Sequence, residues 1–315
     1  ALLVCKAKRT LFIISPHGCG KSRISSFIGE ISEEKSLQDR LSVAGLGELK
    51  EEFNNFGGVL VVDDIAKTQT QYARITTLCT IAELVYSHYC KSHLYGSSYE
   101  IENFTGSAIV NIQPVLLKEA IKSPEWEASI QDKSIRYYHL HRPLEPNPEP
   151  PKVTIENSTD IESVKKPKLT GKYAEELLEI GNVQWSWSRV KEHSIELLRA
   201  AAALDGRKTV NQTDYKIVVE LLNPLRVEQL VTRKSNFESE RDLDAEELAI
   251  LTEFTTYGMF TLKDLSRDYK LSESQCYRIM KSHADKWEII GKSPTRYAPT
   301  KELKTELRRL NLYGE

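Results

Sequence analysis

Apolar residues come in short continuous runs over the first 142 residues and at helical spacing over most of the remainder. An apolar run at 10–15 predicts a strand, followed by a helix over about 22–30. A polar stretch containing Gly45 and Gly47 leads into a helix over 46–55, then Val59-Leu-Val-Val62 opens a strand over 59–63. Leu78, Ile81, Leu84 and Val85 mark one face of a long helix over 70–90. Strand 107–112, a helix near 115–121 and strand 136–141 complete the alternation. Apolar strands alternating with helices predict an α/β fold, a mostly parallel sheet covered on both faces.

The pattern then changes. Five prolines fall between 143 and 151, and a polar stretch follows, so 143–171 reads as a proline-rich linker or exposed excursion. Residues 172–235 read as all-helical. The clearest helix there is 186–204, stopped by Asp205-Gly206, and Asn211 or Thr213 is placed to cap the next one. From 243 to 315 the order is helix, helix, helix, hairpin, helix. Ser272 caps the third of these helices, and Gly291-Lys-Ser-Pro294 turns between two short strands within 287–297. Three helices followed by such a hairpin make a winged-helix pattern. There is no internal repeat and no low-complexity tract.

Composition narrows the setting. The chain has 315 residues, 40% hydrophobic and 28% charged, which suits two or three globular domains. With a net charge of −2, no global field draws it to nucleic acid, so any basic surface must be local. No apolar run reaches the roughly 18 residues of a membrane helix, and no signal peptide precedes the first strand. Five cysteines, at 5, 19, 79, 90 and 276, are scattered without a Cys-x-x-Cys pair. That usage points to a reducing compartment, cytoplasmic (nucleoid-associated) or nuclear, and away from structural zinc. Asn157-Ser-Thr fits a glycosylation sequon that such a compartment leaves unused. The near-immediate first strand suggests that a segment precedes Ala1.

The candidate chemistry begins where the first strand ends. Residues 11–22 read Leu-Phe-Ile-Ile-Ser-Pro-His-Gly-Cys-Gly-Lys-Ser, a strand running into a phosphate-binding loop. Glycines there let backbone N–H groups turn onto phosphate oxygens. Lys21 would reach the β and γ phosphates, the Ser22 hydroxyl would ligate Mg²⁺, and the following helix adds its positive end. Pro16, His17, Gly18, Cys19 and Gly20 form the cradle. Ser15 stands where the pattern G-x-x-x-x-G-K-[ST] has its first glycine. Cys19 is either an oxidation-sensitive thiol or a small residue that fits the turn.

About forty residues on, Val59-Leu-Val-Val-Asp-Asp64 delivers two carboxylates to the carboxyl edge of a buried parallel strand. Asp63 would hold Mg²⁺ through water, and Asp64 would orient or deprotonate the attacking water. Asp at the second position is one methylene shorter than the Glu found in many ATPases. The implied ligands are ATP and Mg²⁺.

This constellation resembles the AAA+ ATPases over roughly residues 5–230, with a winged-helix domain appended. The domain order is similar to that of origin-recognition initiators, RuvB-type motors and MCM helicases, and Asp63-Asp64-Ile65 looks like the corresponding strand ending of DnaA- and DnaC-type proteins. The resemblance implies an α/β P-loop core over 1–142, a helical lid over 172–235 and a winged helix over 243–315. It implies further that Asn111 is the sensor-1 residue and that Arg189, early in helix 186–204, is the sensor-2 arginine. Arg136, with Lys133 as the alternative, would be the finger acting on a neighbouring subunit in a homo-oligomer or an assembly of related subunits. Little of the chain precedes the first strand, so base preference is not readable.

Within 263–309, twelve Lys and Arg face seven acidic residues. Tyr277, Arg278, Lys281 and Ser282 would reach a major groove, and Lys292 and Arg296 the backbone or minor groove of double-stranded DNA. The expected activity is ATP-driven remodelling or loading on DNA, of the replication-initiation or helicase-loading kind. Two alternatives stay open: a nucleotide-switched regulatory or docking module with weak hydrolysis, and a helicase or branch-migration motor whose pore loop would be His93–Tyr99.

Overall fold

The computed structural model describes residues 1–31, 34–39, 41–65, 70–94, 97–144, 158–234 and 241–313. Most of the proline-rich stretch, with Asn157, lies outside them. In chain order the first part contains α1 (Leu2–Lys6), β1 (Thr10–Ile14), α2 (Lys21–Ile31), β2 (Lys35–Gln38), α3 (Val43–Glu48), α4 (Lys50–Phe53), β3 (Val59–Val62), α5 (Gln71–Ser87), β4 (Tyr89–Leu94), β5 (Ser97–Glu102), β6 (Ser107–Ile112), α6 (Pro114–Ile121) and β7 (Ser134–Tyr138).

Five strands form one parallel sheet in the order β2-β3-β6-β1-β7. Every residue of β1, β3 and β6 is buried, as continuous apolar runs require when helices cover both faces. Side chains alternate between two cores. Phe12, Ile14, Leu60, Val62 and Val110 face one core with Phe53, Leu78, Ile81 and Leu117. Leu11, Ile13, Val59, Val61 and Ile109 face the other with Leu3, Ile28, Leu197 and Val218.

Several details depart from the expected pattern. The long helix stops at Ser87, with His88 in the left-handed region (φ 59°), and the chain turns into the β4–β5 hairpin. The helix expected over 46–55 is two short ones, α3 and α4. The last sheet strand is Ser134–Tyr138, paired with β1 from Thr10↔Ser134 to Ile14↔Tyr138, two residues earlier than its apolar pattern suggests.

A helical region follows: α7 (Lys172–Gly181), α8 (Trp187–Leu204), α9 (Gln212–Leu222) and α10 (Val227–Val231). Asn211 caps α9, and Asp214 returns the bond to the Asn211 backbone. The small hairpin β8 (Thr232–Lys234) and β9 (Arg241–Leu243) leads to α11 (Ala245–Tyr257), α12 (Leu262–Tyr269) and α13 (Glu273–Ser282), the hairpin β10 (Trp287–Lys292) and β11 (Thr295–Pro299), and α14 (Lys301–Arg309). Ser272 caps α13. Phe260 exchanges backbone hydrogen bonds with Tyr297, so the hairpin is pinned beside the start of α12. Leu248, Phe254, Phe260 and Leu307 of this C-terminal region join the core on one face of the sheet. Among the described residues no helix is long and apolar enough to cross a membrane.

Candidate functional site

A cleft of about 270 Å³ opens at the carboxyl ends of β1, β3 and β6, walled by Gly18–Ser22 on one side and Asp63, Asp64 and Asn111 on the other. The topology creates it. Because β6 lies between β1 and β3, Asn111 stands between the glycine loop and the carboxylate pair.

The loop needs its glycines: Gly18 has φ +80° and Gly20 φ +78°, conformations that strain any residue bearing a Cβ. Ser15 makes no such demand. It is absent from the positive-φ residues, and its hydroxyl donates to the Pro16 carbonyl at 3.4 Å, so the missing first glycine leaves the turn intact. Pro16 is buried beneath the loop, whereas His17 and Gly18 are exposed. Lys21 Nζ folds back to donate to the carbonyls of Ser15 (2.7 Å) and Pro16 (2.9 Å). Burial lowers the pKa of its ammonium, against the upward pull of Cys19, Asp64 and Asp63. Ser22 is exposed in the first turn of α2, whose positive end faces the cleft.

A hydrogen-bonded chain crosses the floor. Asn111 Nδ2 donates to Ser25 Oγ at 2.9 Å and to Asp63 Oδ1 at 3.0 Å, and Ser25 Oγ donates to the Ser22 carbonyl at 3.1 Å. Asn111 Oδ1 is buried with no hydrogen-bond partner in the structure. Two carboxylates, a hydroxyl, a lysine and a glycine cradle are the donor set that a phosphate–metal pair requires.

Cys19 is 1% exposed, and burial pushes its thiol up despite nearby Arg142 and Lys21. It is a packed small residue of the turn, shielded from oxidants. His139, beside it, is held neutral: burial drives it down to about 4, with His141 adding to the effect.

Sequence reasoning missed Arg142, which stands directly behind the loop. Its Nη1 donates to the His17 carbonyl at 3.1 Å, its Nη2 to Glu253 Oε1 at 3.3 Å, and its Nε is 3.6 Å from Asp268 Oδ2. The guanidinium lies 5.1 Å from the Tyr269 ring centroid, and the backbone N–H bonds Thr256 Oγ1 at 3.0 Å. Glu253 is fully buried, which raises its carboxyl to about 7 against the opposing pull of Arg142. No local sequence signal marks Arg142, because its partners come from α11 and α12.

Two expected arginines are elsewhere. Arg189 donates to Glu192 at 2.9 Å and stacks 4.3 Å from the Tyr86 ring centroid. Glu192 in turn binds Arg9, just before β1, and α8 docks there through His193. This is the amino edge of the sheet, roughly 16 Å of strand from the loop. Arg136 is 0% exposed, its Nε and Nη2 bound to both oxygens of buried Glu228 at 2.8 and 3.0 Å, over the Trp126 ring. A side chain so enclosed cannot reach a neighbouring copy. Lys133 pairs with the Glu83 carboxylate. Of the ten described residues lining the cleft, none is an arginine.

On the C-terminal region, Cys276, Ile279 and Met280 bury one face of α13 and leave Tyr277, Arg278, Lys281 and Ser282 outward, with Arg296 exposed on β11. The side chain of Lys292 lies outside the described residues. Ile289 and Ile290 on β10 are also exposed. In the β4–β5 hairpin, Tyr99 is buried against Gly47 rather than offered to a pore, His93 is exposed, and 95–96 lie outside the described residues.

No protein-family model matches this chain, and no curated protein matches it significantly.

Proposed function

We propose that the cleft binds ATP with Mg²⁺ and that the protein is a DNA-associated ATPase of the AAA+ type, with α7–α10 as its lid and the C-terminal region as a winged helix. The convergence of Gly18–Ser22, Asp63–Asp64 and Asn111 from three adjacent parallel strands into one cleft carries this reading. Lys21 would leave the Ser15 and Pro16 carbonyls for the β and γ phosphates. Ser22 and Asp63 would hold Mg²⁺, which when bound neutralises phosphate charge. Asn111 keeps Asp63 in place through its Nδ2. Asp64 is the group in the cleft that can orient that water. The outward basic residues of α13, with Arg296, support DNA as the partner.

Among the described residues lining the cleft there is no arginine, which favours a second reading, a nucleotide-held switch that turns over slowly. Exposed Ile289 and Ile290 on the hairpin favour protein docking within that reading. Multiple-turnover ATPase assays with and without duplex DNA, on the native protein and Lys21→Ala, separate them. Turnover that DNA stimulates and the substitution abolishes supports the ATPase. Tight nucleotide binding with negligible turnover supports the switch. No nucleotide binding at all removes both.

A further inference from the structure

Away from the cleft, the helical region carries a second concentration of charge. Residues 165–172 read Lys-Lys-Pro-Lys-Leu-Thr-Gly-Lys, four cations and no acid. This segment runs beside the α8–α9 turn: Lys165 N–H donates to the Lys208 carbonyl at 2.9 Å, and Lys165 bridges Thr209. The pairing brings Lys165 and Lys208 together, with Lys166 next in the chain. Farther along, Lys168 and Lys172 line an open cleft of about 670 Å³ with Tyr173 and Tyr215. Lys216 lies 5.5 Å from the Tyr173 ring centroid, and the Tyr215 hydroxyl donates to the Lys168 carbonyl at 2.8 Å.

All six lysines are exposed, and among the described residues none has a carboxylate within ion-pairing distance. Lys172 is also the first residue of α7, where the positive end of the helix opposes a cation. Glu175 shares the first turn of α7 with Lys172, but it makes no ion pair with it among the described residues, so these exposed lysine heads stay available to an outside anion.

We infer that this lysine-lined surface grips the phosphate backbone of DNA, as a second contact independent of the C-terminal hairpin. The inference rests on the reading that the protein acts on DNA. Lysines are point charges on flexible stems, suited to successive phosphates rather than to forked recognition of one carboxylate. Fully extended, eight residues reach at most on the order of 25 Å, so a segment of this length can meet more than one phosphate. Both tyrosine side chains are already engaged, so the surface follows the backbone without stacking on bases.

The test measures binding of a short labelled duplex to the full chain by anisotropy across a KCl series. The K165E/K168E/K172E/K216E variant should lower the slope of log affinity against log salt by about 3.6, and its neutral glutamine counterpart should do nearly the same. Thermal unfolding checks that both are folded. Should the quadruple variants unfold, K168E and K216E singly should each lower the slope by about 0.9. R278A/R296A, on the hairpin side, should leave the lysine contribution in place. If the lysine variants keep the full slope while R278A/R296A loses it, the DNA reading stands and this inference falls. If the native chain binds no duplex, both fall. If the lysine variants lose binding to polyglutamate but not to DNA, the surface serves an acidic protein and the inference falls.

Discussion

Arg142 and Glu253, 111 residues apart in the chain, meet at 3.3 Å, and the same guanidinium donates to the His17 carbonyl at 3.1 Å. One cation therefore serves both the glycine loop and α11. Glu253 has its other oxygen buried without a partner, so its charge depends on Arg142.

Removing that cation should be costly. At a pH well above 7, where Glu253 is ionised, Arg142→Ala leaves a buried carboxylate uncompensated, and urea unfolding should show a loss of about 3–5 kcal/mol. Glu253→Gln keeps the size of the side chain and should cost much less. A loss below about 1 kcal/mol in Arg142→Ala would mean that the loop and α11 do not depend on this contact.

Stability should also depend on pH through Glu253. Its carboxyl sits at about 7 in the fold against an ordinary 4.5, so the folded state holds the proton more tightly. That contribution is complete below 4.5 and lost as pH rises through about 7. Urea midpoints of the native protein, referenced to Glu253→Gln, should decline across this window. A flat difference would show that the carboxyl is not raised.

Asn111→Ala should separate binding from turnover. It removes the donor that fixes Asp63 while leaving the glycine loop untouched, so nucleotide affinity should change little and turnover should fall about 100-fold. Asn111→Asp places a second carboxylate beside Asp63 and should weaken Mg²⁺-dependent binding as well. Equal loss of affinity in both variants would assign Asn111 a purely structural part.

Arg136 offers a sharp contrast between a structural and a catalytic arginine. Arg136→Met leaves Glu228 buried with only the Tyr138 hydroxyl, at 3.3 Å, to bond it, and should destabilise by about 3–5 kcal/mol; pairing it with Glu228→Leu should recover most of the loss. An arginine acting on a neighbouring subunit would instead lose turnover at unchanged stability.

The parts legible in the sequence were those encoded locally. Val59–Val62 and the run ending at Ile14 announce buried parallel strands, and the glycine loop with Asp63-Asp64 lies at their ends. The edge strand β2 was not legible because its pattern is inverted: Ser36 is buried while Leu37 is 53% exposed. Arg136, Arg142 and Arg189 could not be placed for a different reason. Each is held by partners that only folding brings near: Glu228 for the first, His17 and Glu253 for the second, and Tyr86 for the third. Spacing along the chain says which residue types are present, but not which edge of the sheet a later helix will dock against.

Lys21, folded onto the carbonyls of Ser15 and Pro16, makes the loop its own internal competitor. An incoming anion must offer the ammonium more than two well-placed backbone acceptors already do. That sets a threshold below which weakly charged oxyanions gain nothing from this lysine, whereas a polyphosphate chain, with several oxygens converging on one point, can exceed it. On the proposed reading, the loop would discriminate among anions through the bonds it gives up.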